Sequence, residues 1–163
     1  DAVTMAREVV AIHHGVATTL NNRGVLLLFD RKSVDADQAI CGSALIQALL
    51  AEFETQGEFR CYLDTLACPV APSEMGDVEL KTLADSLSYE EQFTRAAMAK
   101  HGDIIFSADI VTTLGETTKP RIAPFEHPLL EGDGQGLAYT MTDLPESMAE
   151  LVANQSQLIL DFN

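Results

Sequence analysis

Five consecutive apolar residues, Val25-Leu26-Leu27-Leu28-Phe29, stand between two polar, turn-forming segments, Asn21-Asn22-Arg23-Gly24 and Asp30-Arg31-Lys32-Ser33. Such a run is too short for a buried helix and suits a strand covered on both faces. Helical periodicity flanks it. Over residues 2–21, Met5, Val9, Ile12, Val16 and Leu20 recur at spacings of three and four, which predicts one amphipathic helix. A second helix is predicted from Asp37 to Thr55, with Asp35 or Asp37 as its cap and Gly57 as its stop. The apolar set of that helix (Ile40, Leu45, Ile46, Leu49, Leu50, Phe53) covers more than one face, so it is largely buried. The core is expected to centre on Val25, Leu27, Phe29, Ile40, Leu49 and Leu50.

Residues 58–66 alternate as a strand, with Phe59, Cys61 and Leu63 on one side and Arg60, Tyr62 and Asp64 on the other. A short helix follows at 77–86, then a longer one from Ser88 to His101, opened by the capping box Ser88-Tyr89-Glu90-Glu91. Residues 103–114 alternate as a long half-buried strand through Ile104, Phe106, Ala108, Ile110, Thr112 and Leu114. Gly115–Pro120 reads as a turn, 121–125 and 137–142 as strands, and 126–136 as a loop. Pro145 opens a last helix to about Asn154, and 157–162 read as a closing strand. The order predicts an α+β chain: one domain over 1–163, a mixed sheet of five to six strands with helices packed on it, and an antiparallel meander in the C-terminal half.

Charge changes the picture more than composition does. Ten Lys and Arg stand against 25 Asp and Glu, a formal net charge of −15, and the excess is spread over both halves of the chain. A surface of that sign repels phosphate backbones and anionic lipid, so neither nucleic acid nor membrane is an expected partner. No apolar run approaches the roughly 20 residues of a membrane-spanning helix. With 47% hydrophobic residues and no Trp, the core is built mainly from aliphatic side chains. The chain opens on Asp1 rather than Met, as after removal of an upstream residue or segment. Cys41, Cys61 and Cys68 are an odd number without metal-ligand spacing. The first two read as core residues and Cys68 as the reactive one, with a Cys61–Cys68 bridge as the alternative to a reduced, cytoplasmic chain.

No catalytic motif emerges. His13 and His14 are neighbours, and adjacent helical positions point about 100° apart, so they do not chelate one ion together. His13 borders the apolar stripe, His14 points further out, and the pair reads as structural rather than functional. No two of His13, His14, His101, His127 and the cysteines have a recognised ligand spacing, so neither a metal nor a cofactor is expected. The segment Glu131-Gly132-Asp133-Gly134-Gln135-Gly136 is rich in glycine but has no Lys and carries two acids. It reads as a flexible connection first and a mobile binding loop second. Asp64, Asp103 and Asp109 lie on or beside strands, with nothing to bring them together. A Cys–His pair from Cys68 with His101 or His127 has no flanking signature.

Two functional readings remain. The first is an acidic protein-interaction module (adaptor, assembly chaperone or inhibitor) that docks on another protein, with Met98 and Met141 as adaptable apolar contacts. The second is a small enzyme with a pocket at the 126–136 loop, for which His127, Glu131, Asp133 and Cys68 are the candidate binding residues. A structural subunit of a larger assembly, including a homo-oligomer, differs from the first in stoichiometry.

Overall fold

The computed structural model describes residues 2–20, 24–52, 60–68, 70–87, 96–97, 103–125 and 138–162. It is an α+β fold whose strands fall into two sheets, one of two strands and a mixed one of four.

The two-stranded sheet is where the periodicity of the chain misleads. The helix expected over 2–21 ends early, as α1 (Ala2–Ile12), and Gly15–Leu20 is a strand, β1. The turn between them closes with His14 at φ 60°, a left-handed residue just past the helix. From there Val16, Thr18 and Thr19 supply β-branched positions. β1 pairs antiparallel with β2 (Gly24–Phe29), from Gly15 opposite Phe29 to Leu20 opposite Gly24. A three-residue connection, 21–23, links them and lies outside the described residues. The spacing of Val16 and Leu20 fits a helix and a strand equally well, and hairpin pairing with the apolar run decided the outcome.

β2 is therefore not the strand covered on both faces. Only Leu28 is fully buried in it, while Val25, Leu27 and Phe29 are half-buried and lean against the core. The doubly covered strand is β4 (Ile104–Ser107). Its Ile104 and Phe106 belong to the main cluster, and Ile105 faces a second one with Ala138, Tyr62 and Phe125. The four-stranded sheet runs β3-β4-β6-β5, with β3 at Cys61–Leu63, β5 at Ile122–Phe125 and β6 at Ala138–Met141. β3 lies parallel to β4, and the remaining pairs are antiparallel, with β6 inserted between β4 and β5. Cys61 and Leu63 face the main cluster and Tyr62 the second one, the alternation read from the sequence.

The long strand expected over 103–114 is broken after Ser107 by a single helical turn, α4 (Ala108–Val111). Phe106, Ile110 and Leu114 are spaced by four, so a helical turn buries Ile110 and Leu114 as well as a strand would. The closing strand is absent too: α5 runs unbroken from Glu146 to Asp161. Between Asn154 and Leu158 there is no Gly or Pro to stop a helix, and Met148, Val152 and Ile159 share its packed face. The predicted helix over 88–101 is described only at 96 and 97, both helical, so Met98 lies outside the described residues.

Helix α2 (Ala36–Glu52) is the centre of the core. Asp35 caps it through a 2.8 Å hydrogen bond from the Gln38 N–H, and its residues from Ala39 to Ile46 are all buried, as are Leu49 and Leu50. α1, α5 and β4 pack around it. α3 (Asp77–Ser86) covers β1 instead, through Leu80 and Ala84. Met141, expected at the surface, packs against the main cluster. No helix among the described residues is long and apolar enough to cross a membrane.

Candidate functional site

Three chain segments far apart in sequence meet beside the N-terminal half of α2. Gly42 sets the distance: a Cβ there would lie 3.3 Å from His13 Cβ and 3.4 Å from Phe29 Cζ, so α2 sits tight against the α1–β1 turn. His13 is thereby 3% exposed, and its Nε2 lies 2.9 Å from Gln155 Oε1 on α5. An amide oxygen only accepts, which places the ring proton on Nε2. On the other side, the Asp37 carboxylate accepts the Gly115 N–H at 3.2 and 3.3 Å, tying the 115–118 turn to α2. Thr118 in that turn is fully buried.

These contacts frame an open cleft of about 450 Å³. Asp37, Gln38 and Cys41 of α2 line it together with His13 and Gln155 and with Thr117 and Thr118. Ile12, Met148 and Leu151 add aliphatic lining, beside Pro145 and Ser147. Ile12 and Leu151 are each 45% exposed. Leu158 and Phe162 continue the Leu151 face along α5 at helical spacing, 58% and 87% exposed. A smaller cleft of about 350 Å³ lies by His14, Asp30 and Ser33, so the neighbouring histidines line separate clefts.

The chemistry available in the larger cleft is limited. Burial pushes the Cys41 thiol up from its ordinary value, away from the thiolate a nucleophile needs. His13 is engaged by an amide and Asp37 by a backbone N–H. No three His, Cys, Asp or Glu residues gather in a metal-binding group among the described residues.

Of the residues singled out from the sequence, His127, Glu131 and Asp133 lie outside the described residues. Cys68 is half-buried, with a free thiol; Cys41 and Cys61 are free as well, so the alternative Cys61–Cys68 bridge is not formed. The acids Asp64 and Asp103 sit at opposite ends of the parallel β3–β4 pair, and Asp109 is exposed on α4. Gln155 is the residue that sequence reasoning missed. A polar residue amid Leu151, Leu158 and Phe162 on one helical face was the signal that could have found it.

Cys61 is half-buried as a residue, yet its thiol is turned inward against the Ser43 hydroxyl, and burial pushes it up to about 11. A folded-state value above the unfolded 9.0 leaves stability unaffected below about pH 9 and lowers it as pH rises towards about 11, since only the unfolded chain then ionises. The expected loss is on the order of 1–3 kcal/mol. Denaturant midpoints at pH 8 and pH 10.5 should therefore diverge less in Cys61→Ala than in the parent chain; an equal alkaline loss in both would refute this.

Comparison with known proteins finds no family model that matches the chain and no curated protein with significant sequence similarity.

Proposed function

We propose that the chain is an acidic protein-interaction module, an adaptor, assembly chaperone or inhibitor, that docks a protein partner over the cleft between the α1–β1 turn, α2 and α5. The observation that carries this reading is the half-exposed aliphatic pair in the cleft lining, Ile12 and Leu151, the latter continued by Leu158 and Phe162 on one helical face. Aliphatic side chains left in water along a concave surface favour association, whereas singly scattered ones do not. The formal −15 supports a protein partner over nucleic acid or anionic lipid. Three free thiols fit a cytoplasmic setting.

The test uses two variants that spare the core. Leu151→Ser removes one aliphatic lining residue; Val78→Ser changes an 80% exposed residue of α3 that lines neither cleft. Both should leave thermal stability within about 0.5 kcal/mol of the parent. A protein that co-purifies from the native source should be lost with Leu151→Ser and kept with Val78→Ser. Equal retention by both would remove the docking reading. The second reading, a small enzyme, draws on the meeting of His13, Asp37 and Cys41 in one cleft. It predicts a bound small molecule in place of the protein, released equally by denaturation of either variant.

A further inference from the structure

We infer, resting on the docking reading above, that the partner presents a Lys or Arg side chain to the larger cleft, with Asp37 as its counter-charge. Among the residues that line the cleft there is one carboxylate and no Lys or Arg; Lys119 follows Thr118 in sequence but does not line it. No ion-pair partner of Asp37 occurs among the described residues. The Gly115 N–H holds the carboxylate in place with one donor, and a carboxylate has about four acceptor sites. It is thus positioned by the backbone and left able to accept more.

The occupant is narrowed by what each alternative would cost. An anionic group would face Asp37 with no cation to meet it, and Glu116, Glu146 and Glu150 stand exposed nearby in sequence to the lining residues. A purely apolar group would strip water from Asp37 and leave its charge unpaired. A Lys or Arg side chain avoids both. Its aliphatic stem lies along Ile12, Met148 and Leu151 while the charged head meets Asp37. The volume of about 450 Å³ is within the usual range for a bound group of that size and its flanks. The net charge of −15 then draws a basic segment towards the surface before contact.

The experiment titrates the isotope-labelled full chain, by amide-resolved NMR, with acetyl-Leu-Arg-Leu-amide and with its citrulline counterpart, which keeps the shape and removes the charge. The arginine probe should shift the Gly115 amide and the Gln155 side-chain signals, with affinity roughly tenfold above the citrulline probe. Asp37→Asn, which keeps an acceptor for Gly115, should bring the arginine probe down to the citrulline level. Leu151→Ser, away from α2 and its cap, should weaken both probes together, so the inference does not hang on one variant. Equal affinity of the two probes, or an arginine affinity untouched by Asp37→Asn in a chain whose other amides are unmoved, overturns the inference and leaves the docking reading intact. Spermidine shifting the same signals as strongly, with the same Asp37 dependence, would assign the cleft to a free polyamine and overturn it as well. Loss of the docking reading is read separately, from the Leu151→Ser and Val78→Ser co-purification.

Discussion

Phe106→Ala is expected to destabilise the fold by about 3–5 kcal/mol, the range for removal of a buried aromatic side chain. Phe106 is 0% exposed, and it sits on β4 between Leu63 of β3 and Tyr139 of β6. Its ring lies in the main cluster with residues of α2, α5 and α4, which no small shift of one helix would refill. The neighbouring Ile105, equally buried, points the other way into a cluster with few members. Truncation of Ile105 to Val should cost only about 0.5–1.5 kcal/mol. Urea midpoints of the two variants give the comparison, and a Phe106→Ala midpoint at or above that of Ile105→Val would mean that β4 is not the centre of the sheet.

Gly15→Ala adds a single methyl group and should still cost about 1–3 kcal/mol, the usual range for overpacking. A Cβ at position 15 would stand 2.5 Å from Val10 Cγ2 and 2.8 and 2.9 Å from the ring of Phe29. Val10 is wholly buried, and the tip of the half-buried Phe29 ring already lies close to Gly42, so both must shift to admit the methyl group. The effect separates this structure from the single helix that the hydrophobic stripe over 2–21 suggests. In a continuous helix, Ala in place of Gly would stabilise by roughly 1 kcal/mol. A rise in thermal midpoint for Gly15→Ala would therefore restore the helix and remove β1.

What the sequence made legible follows its punctuation. Asp35 marks the start of α2 and the Gly115–Pro120 turn precedes β5; α2, α3 and β5 lie close to where the residues placed them. The misreadings fall where punctuation is missing or where two periods coincide. Val16 and Leu20 satisfy a helix and a strand alike, as do Ile110 and Leu114, and only pairing or packing partners decide between them. Leu158-Ile159-Leu160 has strand-like composition, but no breaker detaches it from the helix before it. The cleft was not legible at all, because its lining is drawn from Ile12 to Gln155 without a local motif. His13 was legible only as bordering an apolar stripe; its burial and its partner were not.

That partner has a consequence in time. His13 and Gln155 are 142 positions apart, so at common synthesis speeds of about 5–20 residues per second the two meet some 7–30 s after His13 is made. Until α5 arrives, Met148, Leu151 and Gln155 are missing from the cleft lining, and the side of α2 that α5 covers stays open to the surroundings. The cleft is therefore complete only after α1, α2 and both sheets have been made. A fragment that stops short of α5 would carry most of the acidic charge without the cleft.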